Sequence, residues 1–127
     1  MNKKLCLIML SLVTLTANAE ESKEQWHDTA LTEETIQKIQ QAGYDYKKCA
    51  TDEMLKVMHQ SKDSRAATEA IIKSCEPILS KMRDVYLEEK VPEVVADRHL
   101  KQMRIKTTRN VLQEMMYLEA ARDGSPK

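Results

Sequence analysis

The sequence predicts an all-α protein, a small antiparallel bundle of three helices, or four if one breaks near Gly43 or Pro77, with one cross-hairpin disulfide. Three observations predict this fold. The 127 residues include only two glycines, whereas folds rich in strands use glycine in their turns. Apolar residues recur every three or four positions along three segments, which is the period of an amphipathic helix. Two cysteines, Cys49 and Cys75, lie at equal distances from a turn-like segment.

The first helix is predicted to begin at Thr32, a capping hydroxyl followed by two acidic residues that favour the positive end of the helix dipole. Glycine is a poor helix former, so a break at Gly43 would divide this helix into two. The apolar or small positions of the helix are Ile36, Ile39, Gly43, Tyr46, Ala50, Met54, Val57 and Met58.

The second helix follows a turn at residues 60–64 and is capped by Asp63 or Ser64. Pro77 lies inside its apolar stripe. A proline within a helix removes a backbone hydrogen bond, which predicts a kink or a short break near residues 73–77. The stripe itself consists of Ala67, Ile71, Cys75, Ile78, Met82, Val85 and Tyr86.

The third helix is predicted to begin at Pro92, because proline favours the first helical position. Gly124 is predicted to end it, since glycine favours the position after a helix. Between them the apolar stripe consists of Val95, Leu100, Met103, Thr107, Val111, Met115 and Leu118.

Cys49 and Cys75 are predicted to form a disulfide. Residue 62, in the turn, lies 13 positions from each of them. At 1.5 Å per residue, both cysteines lie about 20 Å along antiparallel helices, at the same level. Closing the loop between them would stabilise the fold by roughly 3.5 kcal/mol. The chain has no C-x-x-C motif that would indicate redox chemistry.

Residues 1–19 have the pattern of a secretory signal peptide. Lys3 and Lys4 precede an apolar run at residues 5–15, and an A-x-A pattern predicts cleavage between Ala19 and Glu20. The run is too short to span a bilayer, so we expect no membrane anchor after cleavage. These features predict export to the periplasm or the outside of a bacterium. The predicted segments are the signal peptide, an acidic lead at 20–31, a helical domain at 32–122 and a tail at 123–127.

Charge is unevenly distributed. Residues 20–34 carry a net charge of −5, whereas residues 98–109 carry five bases and no acid. One interpretation is that the two segments attract each other or simply keep the surface soluble. The other is that the bases form a docking surface for an acidic protein or an anionic envelope component. Export argues against nucleic acid, and a homodimer stays open. The bases of this candidate interaction surface are Arg98, Lys101, Arg104, Lys106 and Arg109.

We find no combination of acid, base and nucleophile whose spacing indicates catalysis, and we expect no cofactor. Met54, Met58 and His59 form the one cluster that could hold a metal, because thioethers and imidazole bind copper(I). The alternative is that both methionines fill gaps in the core. Trp26, in the acidic lead, either folds back onto the bundle or is an exposed anchor for a partner.

Two short patterns resemble known families. Leu31-Thr32-Glu33-Glu34 is similar to the L-T-x-x-Q motif of small helical periplasmic stress chaperones, with Thr35 where that motif has Gln. Tyr46-x-x-Cys49 together with Cys75-Glu76-Pro77 resembles short exported helical bacterial proteins of unknown function. The first resemblance implies an ATP-independent chaperone, and the second implies no activity. We therefore expect an exported, non-enzymatic binding or accessory protein, with copper binding or stress sensing as the alternative.

Overall fold

The structure is a computed structural model, and it describes residues 31–124. In this range the chain forms three helices, α1 (Glu33–Val57), α2 (Ser64–Glu88) and α3 (Glu93–Asp123), and no strands. Helices α1 and α3 each pack chiefly against α2 and touch each other less. The predicted all-α bundle is thus confirmed, with α2 antiparallel to both neighbours.

The caps of α1 and α2 are formed by side chains that the sequence indicates. The Thr32 hydroxyl accepts a hydrogen bond from the Thr35 N–H at 3.1 Å. Asp63 caps α2, because its carboxylate accepts from the backbone N–H groups of Arg65 at 2.9 Å and Ala66 at 3.0 Å. Each cap satisfies backbone donors that lack a partner inside the helix.

The start of α3 differs from the prediction by one residue. Pro92 is the N-cap rather than the first helical residue, because its ψ of 134° is extended. Its carbonyl accepts hydrogen bonds from Val95 at 2.9 Å and Ala96 at 3.0 Å, which starts the helical pattern. At the other end Gly124 caps the helix, as predicted, and its N–H donates to the Ala120 carbonyl at 3.0 Å.

The chain has the predicted three helices, and neither of the possible breaks occurs. Helix α1 is continuous through Gly43, and α2 is continuous through Pro77. Gly43 is buried within a continuous α1, and a Cβ there would lie 3.4 Å from Met103 Cε and 3.6 Å from Met82 Cε. A Cβ at residue 43 would therefore make ordinary van der Waals contact with side chains of α2 and α3. Pro77 is exposed on a continuous α2, and buried Cys75 and Leu79 on either side anchor the adjoining turns in the core.

The core runs through all three helices along most of the predicted stripe positions, and it also includes Ile72, Leu79, Val91 and Ala96, which lie outside the predicted stripes. Ile36, predicted to be a core position, is 40% exposed, because the first turn of α1 directs Thr35 inward instead. The buried hydrophobic side chains are Tyr46, Ala50, Ile71, Ile72, Cys75, Leu79, Met82, Tyr86, Val91, Ala96, Leu100, Val111 and Met115.

The cysteine pair joins α1 to α2 as the spacing predicts. The sulfur atoms of Cys49 and Cys75 are bonded at 2.08 Å, and their Cα atoms lie 5.9 Å apart. Cys75 is fully buried. The covalent link therefore lies at the mid-height of the α1–α2 hairpin and fixes the register of the two helices.

The turn between α2 and α3 closes around Lys90, whose φ of 60° lies in the left-handed region. The Lys90 N–H donates to the Leu87 carbonyl at 3.0 Å, and the Val91 N–H donates to the Tyr86 carbonyl at 2.9 Å. Val91 and Tyr86 are both buried. This pattern is a Schellman motif, with lysine at the position where glycine is usual.

Several predicted features lie outside the described residues, namely the signal peptide at 1–19, Trp26, nearly all of the acidic lead and the end of the tail. Within residues 31–124, none of the helices is both long and apolar enough to cross a membrane.

Candidate interaction surface

The structure separates the five predicted bases into three groups. Arg98, Lys101 and Arg109 are exposed and form no ion pair within the described residues. Arg104 instead forms an ion pair with Glu76 of α2. Lys106 points toward α1, where it lines a cavity between the two helices. The predicted belt of five bases is therefore a surface of three.

The three unpaired bases share their face of α3 with apolar side chains. At 100° per residue, seven positions lie within about 80° of each other, and we call them the outer face of α3. Val94 is 55% exposed, Ile105 is 41% exposed and Met116 is 50% exposed, whereas Leu112 is half-buried. The outer face consists of Val94, Arg98, Lys101, Ile105, Arg109, Leu112 and Met116.

From Glu93 to Met116, the acidic residues of α3 lie outside the arc of the outer face, whereas Glu119 and Asp123, beyond Met116, return to the angular positions of Lys101 and Ile105. Glu93 and Asp97 pair with Arg83 of α2, at 3.6 and 2.7 Å. The hydrogen bond from Arg83 also holds the pKa of the Asp97 carboxyl below its usual value. Glu114 lines the cavity toward α1, and the Glu119 carboxylate accepts from the Ser64 N–H at 3.2 Å. Consequently the outer face carries positive charge with no carboxylate among its seven members.

A cavity of about 280 Å³ lies between α1 and α3. Ala50, Met54 and Val111 give it apolar walls, while Lys47 and Lys106 bring two ammonium groups to it. It exists because α1 and α3 pack mainly on α2 and leave a cleft between themselves. A second cavity of about 290 Å³ lies between α1 and α2 near their turn, beside Val57, Ala67 and Ile71.

The two methionines of the candidate copper site pack against the core. Met54 and Met58 are both partly buried beside the hydrophobic cluster, and Met54 also lines the α1–α3 cavity. His59 is exposed in the turn that follows α1. No group of three His, Cys, Asp or Glu side chains within residues 31–124 is arranged to hold a metal ion. Copper binding thus stays a prediction, which titration with copper(I) would test.

The environments of two buried tyrosine hydroxyls could not be predicted from the sequence. The Tyr86 hydroxyl forms a hydrogen bond with Nδ1 of His99, and burial raises the pKa of Tyr86 to about 12. Tyr86 therefore remains protonated at neutral pH, and its hydroxyl shares a hydrogen bond with His99 whose direction depends on the tautomer of the imidazole. The Tyr46 hydroxyl is fully buried without a hydrogen-bond partner among the described residues. Burial raises the pKa of Tyr46, and the nearby Glu76 carboxylate raises it further.

Comparison with protein-family models, with curated proteins and with solved structures finds no match to this chain. The surface therefore has to be interpreted from its own residues. Sequence analysis identified its bases but missed its apolar members, Val94, Ile105 and Met116. The signal that would have found them is their spacing of 11 residues, which returns to nearly the same side of a helix after three turns.

Proposed function

We propose that this protein is an exported binding protein of the bacterial envelope, and that the outer face of α3 binds an anionic partner. The observation that carries this proposal is the unpaired charge of Arg98, Lys101 and Arg109. Other cations, such as Arg83 and Arg104, pair with carboxylates on neighbouring helices. The three bases of the outer face form no ion pair within residues 31–124, and this face has no acid between Val94 and Met116, so they create a positive potential that attracts anionic groups.

Export is supported by the basic start, the short apolar run and the A-x-A pattern of residues 1–19. The Cys49–Cys75 disulfide is consistent with it, because disulfides persist in oxidising compartments such as the periplasm. An accessory role is supported by the small three-helix bundle, which a disulfide holds together and which presents the outer face of α3 to solvent.

Export is tested by expressing the whole chain in a bacterial host and fractionating the cells. We expect the protein in the periplasmic or extracellular fraction, with a mass that corresponds to a chain beginning at Glu20. Titration of the denatured, unreduced protein should find no free thiol, since Cys6 would be removed with the signal peptide. A cytoplasmic protein of full-length mass would contradict this part of the proposal.

Binding is tested with polyglutamate as a soluble anionic probe at low and high salt. We expect salt-sensitive binding that is lost in the double variant Arg98→Glu, Arg109→Glu. The matched control is Lys73→Glu, Lys81→Glu, which makes the same charge change at exposed positions of α2. Equal loss in both variants would show that only net charge matters and would contradict a site on α3.

A further inference from the structure

We propose that the anionic partner is a phospholipid surface, on which the outer face of α3 lies flat. This inference rests on the proposed function and deepens it, because it names the partner of the same face. Val94, Ile105 and Met116 would enter the boundary between headgroups and acyl chains. The bases beside them would contact the lipid phosphates.

The first support is the straightness of the apolar line. Val94, Ile105 and Met116 follow each other at steps of 11 residues, and each step rotates the position by only about 20°. The line extends over about 33 Å of helix at 1.5 Å per residue. All three side chains can therefore touch one plane at the same time, as an interfacial helix requires.

The second support is the interleaving of bases with these apolar residues. Arg98 and Lys101 lie between Val94 and Ile105, and Arg109 lies between Ile105 and Met116. Arginine and lysine have long aliphatic stems, which let the charged group reach phosphates while the stem covers apolar surface. Each base near an anionic leaflet strengthens binding by about fivefold.

Charge complementarity argues against a second copy of this chain as the partner. If two outer faces paired in antiparallel fashion about Ile105, Lys101 of each copy would face Arg109 of the other. Two positive charges that face each other across such an interface repel. An anionic lipid surface has no such penalty.

The test is cosedimentation of the protein, purified after export, with lipid vesicles. Vesicles that contain phosphatidylglycerol should bind the protein at least about tenfold more tightly than vesicles of phosphatidylcholine alone. High salt should weaken this binding. The double variant Arg98→Glu, Arg109→Glu should lose it, whereas the control Lys73→Glu, Lys81→Glu should bind more than about tenfold more tightly than that double variant.

A second variant separates a membrane from any other polyanion. Ile105→Ser with Met116→Ser removes apolar contact and keeps every charge, so vesicle binding should fall while polyglutamate binding is unchanged. Far-UV circular dichroism of all the variants should match that of the native protein, because the changed side chains are exposed.

The outcomes distinguish the inference from the proposed function. Equal binding to both kinds of vesicle would overturn the membrane inference. It would also be overturned if the Ile105→Ser, Met116→Ser variant bound vesicles as tightly as the native protein. Salt-sensitive polyglutamate binding without vesicle binding would also overturn it, and would instead indicate an acidic protein as the partner. Failure to bind either probe would overturn the proposed function as well.

Discussion

Two buried tyrosines differ in whether their hydroxyl groups form a hydrogen bond. Tyr46 is fully buried with no hydrogen-bond partner among the described residues, whereas the Tyr86 hydroxyl forms a hydrogen bond with Nδ1 of His99. A buried polar group without a partner costs about 1–3 kcal/mol, and a typical hydrogen bond contributes about 1 kcal/mol. The same chemical change should therefore have opposite effects at the two positions.

We expect Tyr46→Phe to raise the free energy of unfolding by about 1 kcal/mol, because it removes the unpaired hydroxyl. Tyr86→Phe should lower it by about 1 kcal/mol, because the hydrogen bond to His99 is lost. Urea unfolding at neutral pH, followed by circular dichroism, measures both changes. Equal destabilisation by the two substitutions would show that the Tyr46 hydroxyl has a partner.

Lys90 shows how one backbone conformation determines the connection of α2 to α3. An L-residue in the left-handed region costs about 1–2 kcal/mol, and glycine avoids this cost while losing more entropy on folding. We expect Lys90→Gly to raise the free energy of unfolding by about 0.5–1 kcal/mol. Lys90→Ala is the control and should give no such gain, since alanine retains the strain. If both variants raised the free energy of unfolding equally, the loss of the lysine side chain, not relief of backbone strain, would explain the gain.

The start of α1 is tied to the end of α2 through Glu89. Its carboxylate accepts hydrogen bonds from the Thr35 hydroxyl and the Lys38 ammonium group, both at 2.6 Å. These bonds, that from Lys38 first, lower the pKa of the Glu89 carboxyl from its ordinary value of 4.5. Glu89 thus contributes stability that is fully present above pH 4.5 and is lost as the pH falls through its folded-state pKa.

Glu89→Gln should therefore destabilise the protein at neutral pH and have progressively less effect as the pH falls below 4.5. Urea unfolding of both proteins across this range gives the difference at each pH. Exposed Glu88, for which no such contacts are seen within residues 31–124, provides the control as Glu88→Gln. If the difference in free energy of unfolding between the native protein and Glu89→Gln stayed constant with pH, the charge of Glu89 would not be what stabilises the fold.

Helix identity could be predicted from the sequence better than helix continuity. Thr32, Asp63 and Gly124 act locally, so their capping roles are visible in the neighbouring residues. The continuity of α1 at Gly43 depends on Met82 and Met103 of other helices, which pack against it. Likewise, α2 continues past Pro77 because Cys75 and Leu79 are held in the core. Tertiary contacts thus override local propensity at both positions.

For the whole molecule, the disulfide restricts the conformational freedom of the unfolded chain, because it closes a loop between residues 26 positions apart. Closure of the loop between Cys49 and Cys75 should contribute about 3.5 kcal/mol. We expect a reductant to lower the free energy of unfolding by about this amount in urea titrations. The double variant Cys49→Ala, Cys75→Ala should be insensitive to reductant. An unchanged midpoint after verified reduction of the native protein would contradict the prediction.

The arrangement of the candidate surface could be predicted only in part. The pairing of the cysteines follows from their equal distances to the turn, which is a property of the sequence. By contrast, Arg104 is neutralised by Glu76, which lies 28 positions earlier, and Lys106 turns toward α1. Which of the five bases lie unpaired on the outer face therefore depends on how the helices pack. Arg98, Lys101 and Arg109 do, whereas Arg104 is paired and Lys106 lines the cavity.

The position of the disulfide also determines how the bundle would carry mechanical force. If the two ends of the bundle were pulled apart, tension would pass from Cys49 directly to Cys75 through the sulfur atoms. The intervening segment, including the turn and the first half of α2, would bear no load. Full extension would then be shorter by about 90 Å, the length of the bypassed chain at about 3.5 Å per residue. Under such tension, the α1–α2 hairpin would keep its register up to the disulfide, whereas α3 has no disulfide link to either helix within residues 31–124.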